Sequence, residues 1–230
     1  MTSVFVTGTD TGVGKTRVAT AVVRALARRG LRVGAMKPVA SGCVATSAGP
    51  RNEDALALMA AANVRARYPE VNPFAFLPPI APHIAAREAQ VPVDFDVLDR
   101  CRERLQMQSQ VLIIEGAGGW LAPLDDSRSF ADLAARWQTD VLLVVGLRLG
   151  CLNHALLTVE SIERRGLRLV GWVGSAIDPA FERLAENVAT LEQRIASPCL
   201  GALPFDPDAG LDEIADGIAA DTLLSRLGLS

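Results

Sequence analysis

Val4-Phe5-Val6-Thr7-Gly8-Thr9-Asp10-Thr11-Gly12-Val13-Gly14-Lys15-Thr16 lies at the start of the chain. The apolar run Val4–Val6 reads as a short buried strand. The glycine-rich turn after it ends on a Lys-Thr pair at the head of a helix. Such a turn points several backbone N–H groups into one concavity, and the helix adds its positive end. A nucleoside triphosphate is the ligand this arrangement fits. Lys15 would reach the β- and γ-phosphates, and the Thr16 hydroxyl would take a place on Mg²⁺. The pattern departs from G-x-x-x-x-G-K-[ST] at its first position: Thr9 stands there and Gly8 comes one residue early.

Working outward, strands alternate with helices. Lys15–Arg29 places Val18, Val22, Ala25 and Leu26 on one stripe, with Arg24, Arg28 and Arg29 at its C-terminal end and Gly30 suited to the position after it. Residues 32–36, 111–114, 141–146, 169–177 and 200–203 read as strands, the last at a sheet edge. Residues 52–63, 94–106, 130–137, 152–165 and 180–195 read as helices, and a terminal helix runs from Asp212. Residues 43–50 are small and polar, a mobile surface excursion. Residues 69–92 hold Pro69, Pro73, Pro78, Pro79, Pro82 and Pro92 and read as a long irregular stretch. The alternation implies a mostly parallel sheet with helices on both faces, an α/β class, and one domain over residues 1–230.

The bulk composition excludes several classes. Half of the 230 residues are apolar, the net charge is −3, and no basic run exceeds a pair. A nucleic-acid surface is not expected from that balance. No apolar run approaches the roughly 20 residues of a membrane helix. The strand and loop begin within the first ten residues, so no secretory signal order is expected and the chain reads as cytoplasmic. Cys43, Cys101, Cys151 and Cys199 are widely spaced, which suits free thiols rather than disulfides or a zinc site. His83 and His154 have no metal-ligand partner at helical spacing, and Trp120, Trp137 and Trp172 read as core or interface.

Glu115 ends a buried apolar strand, where open parallel sheets bind ligands, and the glycines after it let backbone come close to one. It is a candidate Mg²⁺ ligand. Periodicity alone places Asp54 on a helix surface and does not select it. Lys37 stands at a strand end, and Thr11 and Ser41 read as turn residues until other motifs are considered.

Taken together, the motifs resemble the dethiobiotin synthetase family, ATP-dependent cyclo-ligases of biotin biosynthesis. The resemblance is carried by residues 6–16, by Lys37-Pro38-Val39-Ala40-Ser41-Gly42 and by Arg51-Asn52-Glu53-Asp54-Ala55-Leu56. It continues through Val71-Asn72-Pro73, Pro82-His83, Glu115-Gly116-Ala117-Gly118-Gly119-Trp120 and Leu149-Gly150-Cys151-Leu152-Asn153-His154-Ala155. It implies a P-loop NTPase-like, seven-stranded parallel sheet and a homodimer that uses ATP and Mg²⁺. It also implies that 7,8-diaminopelargonic acid and CO₂ are the substrates. An amine of the first takes up CO₂ as a carbamate, the carbamate is activated as a carbamic–phosphoric anhydride, and the second amine closes the ureido ring.

The resemblance assigns residues as follows. Lys15, Lys37, Thr11 and Ser41 serve catalysis. The nucleotide site draws on Gly12, Val13, Gly14, Lys15, Thr16 and Arg17, then on Asp54 and on Glu115, Gly116, Ala117 and Gly118. Ser175 and Ala176, with Pro204, Phe205 and Asp206, lie toward the base. Thr16, Asp54 and Glu115 surround Mg²⁺. The substrate meets Thr11, Lys37, Ser41 and Gly118, and its carboxylate meets the partner subunit's helix start at Gly150, Cys151 and Asn153. One departure stands out: many members carry asparagine after Gly-Trp-Val, and here Gly171-Trp172-Val173-Gly174-Ser175 puts Ser175 near the adenine.

Two other readings share the loop. A ParA/MinD-type partition or positioning ATPase would carry a lysine five residues before Lys15, where this chain has Asp10. A cobyrinate-type amidotransferase would need a glutaminase domain for which this chain is too short.

Overall fold

A computed structural model of the chain describes residues 1–229. The apolar run expected at the start forms β1 (Thr2–Gly8), and it lies inside a six-stranded sheet. The other strands are β2 (Val33–Met36), β5 (Val111–Glu115), β6 (Asp140–Leu147), β7 (Leu169–Ala176) and β8 (Cys199–Leu203), in the order β2-β5-β1-β6-β7-β8. Every ladder is parallel. Because side chains alternate along a strand, each central strand feeds both faces. Phe5, Leu112, Ile114, Leu143 and Val145 enter one core; Val4, Val6, Ile113, Leu142 and Val144 enter the other.

Helices cover both faces. α1 (Lys15–Arg28) buries Val18, Val22 and Leu26 in the second core beside two C-terminal helices, α9 (Leu211–Asp216) and α10 (Ala220–Leu227). Its basic end is not merely solvated: Arg24 pairs with Asp212, Arg28 with Asp216 and Arg29 with Asp221. The first core is closed by α5 (Phe95–Gln108), α6 (Phe130–Trp137), α7 (Cys151–Arg164) and α8 (Leu184–Arg194). Trp120, Trp137 and Trp172 are all buried there. The four cysteines are free thiols.

Several sequence expectations need correction. Among the described residues the main sheet has six strands rather than seven. Pro38 follows Lys37, and the Lys37 N–H turns outward to the Val71 carbonyl at 2.9 Å. The chain thereby leaves the sheet, and β3 (Val39–Ala40) pairs instead with β4 (Phe74–Ala75) as a separate parallel ribbon. The proline-rich stretch is partly regular: α3 (Tyr68–Val71) and α4 (Pro82–Glu88) carry Pro69 and Pro82 in their first turns. Proline is favoured there, since that N–H would be unsatisfied anyway. The helix expected from residue 180 starts at Leu184, because Asp178 caps a turn through Ala180 and Phe181. The single terminal helix is two, broken where the Ala219 N–H donates to Leu200 of β8 at 2.7 Å. Residues 43–50 do lie mostly at the surface as expected, as a turn closed by Val44 and Arg51, which exchange backbone hydrogen bonds of 2.8 and 2.9 Å.

Candidate active site

The loop between β1 and α1 opens at the C-terminal edge of the sheet, beside β5 and β6, where ligands of open parallel sheets collect. Gly14, with φ 83°, sits in the left-handed region immediately before α1, a conformation that turns successive N–H groups inward and that a side chain would strain. The loop borders a cleft of about 470 Å³. Its wall brings together Thr11, Gly12, Gly14, Lys15, Thr16 and Arg17 from the loop and helix. Lys37, Ala40 and Ser41 come from the end of β2 and from β3, and Glu115, Ala117 and Gly118 from the end of β5. Asn52 and Asp54 come from the start of α2 (Glu53–Ala61). A larger cavity of about 600 Å³, beneath the C-terminal end of α2, is lined mainly by small apolar side chains and by no carboxylate.

At the floor of the cleft, Lys37 Nζ donates to Glu115 Oε1 at 2.6 Å, to Asp54 Oδ2 at 2.9 Å and to the Gly116 carbonyl at 3.2 Å. Those three bonds use all the donors an ammonium has. Burial alone would push Lys37 down, but Glu115 and Asp54 outweigh it and hold the ammonium above the ordinary lysine value. Burial likewise would raise Asp54, yet Lys37 and Thr16 keep its carboxyl below the usual range. Thr16 Oγ1 donates to Glu115 Oε1 at 2.8 Å. Among the described residues Lys15 is bound only by the Asp10 carbonyl, at 2.8 Å. Burial first, and the nearby Lys37 charge second, lower it to about 8.

The two carboxylates and one hydroxyl that the family resemblance put around Mg²⁺ thus lie close together, linked through Lys37 and Thr16. Glu115 Oε2 is buried and has no hydrogen-bond partner among the described residues. No group of three or more His, Cys, Asp or Glu side chains is arranged to hold a metal among those residues. Hard oxygen donors from one or two carboxylates are nonetheless what Mg²⁺ takes where phosphates supply the remaining ligands, so the donor set fits the ion.

Other candidates lie elsewhere. Val13 is buried under the loop rather than facing the cleft. Ser175 and Ala176 end β7; Ser175 is buried, and its Oγ would lie 2.8 Å from a Cβ placed on Gly14. Ser175 pairs with Leu203 of β8, so Pro204, Phe205 and Asp206 continue from the strand beside it, outside the cleft's wall. Gly150, Cys151 and Asn153 stand at the start of α7, also outside that wall. Asp10 meets Arg148 at 2.6 Å, two residues before that helix start. Asn52 was not singled out by sequence reading; an asparagine ahead of an acidic pair is a helix N-cap signal, and its side chain accepts from the Ala55 N–H at 3.2 Å.

A family model described as an AAA domain matches residues 2–211. A relative named ATP-dependent dethiobiotin synthetase BioD, from Xanthomonas oryzae pv. oryzae (strain PXO99A), is 47% identical over 214 residues, spanning 93% of this chain and 96% of its own. Another of that name, from Pseudomonas aeruginosa (strain UCBPP-PA14), is 51% identical over 205 residues, spanning 89% and 90%. Among solved structures, the MinD cell division protein of Aquifex aeolicus superposes with a TM-score of 0.57 at 15% identity, over 99% of this chain and 95% of that one. A ParA family ATPase from Chlorobium tepidum TLS gives 0.55 at 13%, over 99% and 93%. At such identities these two share the fold, a P-loop NTPase-like parallel sheet, and nothing more follows from them.

Proposed function

The chain belongs to the ATP-dependent dethiobiotin synthetase family, an ATP-dependent ligase family of biotin synthesis, and from that premise we propose how its site works. The substrates are 7,8-diaminopelargonic acid and CO₂. One amine takes up CO₂ as a carbamate, and a carbamate oxygen attacks the γ-phosphate of ATP, breaking its bond to ADP. The second amine then attacks the carbonyl of the resulting carbamic–phosphoric anhydride, closing the ureido ring and releasing phosphate.

The obstacle is electrostatic, because a carbamate anion must approach a polyanion. The cleft meets it with fixed positive charge on two sides. Lys15 has spare donors for the phosphates, and the amides of Gly12–Thr16, with Arg17 beside them, cradle the same groups. Lys37 is locked at the floor by Glu115, Asp54 and the Gly116 carbonyl, and brings its charge to the cleft that the phosphates and the substrate would share. Thr11, Ser41 and Gly118 line the same cleft and position the carbamate and its parent amine. Thr16, Asp54 and Glu115 would hold Mg²⁺, which when bound would neutralise charge on the phosphates. Gly116 and Ala117 hold the backbone path that keeps Glu115 under the loop. Ser175 and Ala176, with Pro204, Phe205 and Asp206, face the base.

The substrate's distal carboxylate is bound by the exposed N–H groups at Gly150, Cys151 and Asn153 of a second copy, so the working form is a homodimer. Exposed Leu121, Leu149 and Leu157 near that helix suit such an interface. No helix among the described residues is long and apolar enough to cross a membrane, and a cytoplasmic location suits the reading.

The observation that carries this reading is the convergence of Lys37, Asp54, Glu115 and Thr16 beside a phosphate loop. The test is a coupled assay with diaminopelargonate, bicarbonate and Mg·ATP, following dethiobiotin and ADP. Diaminopelargonate-dependent release of both is expected; ADP release indifferent to the diamine would overturn it.

A further inference from the structure

The Val71-Asn72-Pro73 motif has no role in the chemistry above, yet it lies against the backbone of Lys37. Asn72 is buried, and its Nδ2 donates to the Lys37 carbonyl at 2.7 Å and to the Phe74 carbonyl at 3.2 Å. The Lys37 N–H donates to the Val71 carbonyl at 2.9 Å. Both backbone groups of Lys37 are therefore held by residues 71 and 72 where the chain leaves the sheet. The Asn72 side-chain oxygen accepts from Tyr68 Oη at 2.8 Å, and Tyr68 Oη accepts from the Asn52 N–H at 2.7 Å. Asn52 is the N-cap of α2, and Asp54 is the second residue of that helix.

One phenolic hydroxyl thus bridges the two backbone segments that carry Lys37 and Asp54. The bond between Lys37 Nζ and Asp54 Oδ2 requires the end of β2 and the start of α2 to keep their spacing. Lys37 is otherwise fixed from β5, through Glu115 and Gly116. The Asp54 side chain is 41% exposed and among the described residues meets only Lys37 and Thr16, at the cleft's rim. The Tyr68 ring is itself pinned, with the Arg51 guanidinium 4.2 Å above its centroid.

We propose that Tyr68 and Asn72 are positioning residues, a hydrogen-bonded strut that sets Asp54 against Lys37 and so fixes the acidic side of the phosphate site. The strut touches no reacting atom and acts through the two residues it spaces. The proposal rests on the catalytic reading above for its kinetic consequence, but the strut itself can be tested without it.

The test is Tyr68→Phe, which removes the hydroxyl and keeps the ring under Arg51. Crystal structures of the ligand-free parent and variant give the first measurement. The Lys37 Nζ–Asp54 Oδ2 separation is expected to open past about 3.5 Å, beyond hydrogen-bond range. A separation unchanged from the parent overturns the strut whatever the activity. The kinetic measurement is a split. Turnover falls about tenfold, while KM for Mg·ATP stays within about twofold and the melting temperature within about 4 °C of the parent. A large drop in melting temperature with unchanged turnover of the folded enzyme would make Tyr68 merely structural and overturn the proposal. In an Asp54→Asn background the same change should cost less than about twofold, since a strut has nothing left to aim. If Tyr68→Phe does not fold, Asn72→Ser, too short to reach the Lys37 carbonyl, is put through the same measurements. A parent enzyme without diamine-dependent ADP release would count against the catalytic reading alone, and the crystallographic comparison would still decide the strut.

Discussion

Lys37 Nζ lies 2.6 Å from Glu115 Oε1, and the two side chains are 3% and 1% exposed. Two charges so deeply buried persist only as a pair. Removing one partner leaves the other uncompensated, at a cost of about 3–5 kcal/mol. Lys37→Ala should therefore lower stability in denaturant melts by that order and cut turnover about 100-fold or more. ATP binding by calorimetry should stay within a few fold, because Lys15 and the loop amides remain. Adding Glu115→Gln should recover stability without recovering turnover. Turnover of Lys37→Ala within a few fold of the parent would sink the role given to Lys37.

Gly8 explains the displaced first glycine of the loop. A Cβ there would lie 2.7 Å from Val13 Cγ2 and 3.0 Å from Lys15 Cγ. Val13 is stiff and packed beneath the loop, so the added methyl presses on the residues that shape the phosphate concavity. Overpacking of this kind costs about 1–3 kcal/mol. Gly8→Ala is expected to fold, to weaken ATP binding about tenfold by calorimetry, and to leave the circular dichroism spectrum unchanged. Thr9→Gly, which restores the common spacing of the motif, is not expected to rescue it, since the clash is at residue 8.

What the sequence made legible follows from how local each signal is. The phosphate loop, Glu115 and the parallel sheet are written in contiguous strand–turn–helix segments, and these appear where expected. Asp54 is different. On a short helix an acid near the start looks like a solvated cap, and its meeting with Lys37 depends on β2 and α2 approaching across 17 residues of chain. Asn72 was visible only as part of the Val71-Asn72-Pro73 motif, with no role attached, and Tyr68 not at all, because their bonds to Lys37 and Asn52 go to backbone groups far along the chain. The prolines of residues 69–92 read as breakers although Pro69 and Pro82 start helices. The break between α9 and α10 is set by a tertiary bond to Leu200, which no periodicity encodes.

Asp99 gives a pH-dependent contribution away from the site. Burial would raise its carboxyl, but hydrogen bonds from Arg136 and Trp137 outweigh that and hold it below the ordinary value of 3.8. Asp99 Oδ1 accepts from Trp137 Nε1 at 2.7 Å, and Oδ2 from Arg136 Nη2 at 2.6 Å. With the folded value depressed, the unfolded chain binds the proton first. The stabilisation is fully present above the unfolded value and disappears as pH falls through the folded one. Asp99→Asn should cost about 1–2 kcal/mol at pH 7. The gap in melting temperature between parent and variant should narrow once pH falls below about 4. A gap that stays constant down to pH 3 would show that the charge is not what binds α5 to α6.

A homodimer would cover the apolar surface near α7. Leu121 and Leu157 are 54% and 56% exposed and line one shallow hollow, and Leu149, beside Gly150, is 91% exposed. The parent should sediment at twice the chain mass. Leu157→Asp should shift it toward the monomer and reduce turnover with it, since the substrate carboxylate would lose its helix terminus. A monomeric variant with full activity would remove the second copy from the site.

On the proposed reading, Ser175 sets which base is accepted. It is buried at the end of β7, with its Oγ over Gly14 of the loop, and the proposed reading puts the base on that side. An asparagine in that position offers a donor and an acceptor side by side and can pair with adenine through both. A serine has one short hydroxyl and cannot. Discrimination that relies on a matched polar pair is lost when the pair is incomplete. GTP and CTP should therefore support turnover within about tenfold of ATP at matched concentrations. Ser175→Asn should widen the ratio of ATP to CTP rates by about the same factor. Steady-state rates of dethiobiotin formation with the three nucleotides decide it, and a strict ATP preference in the parent would place base selection elsewhere, in the Pro204–Asp206 segment beside β7.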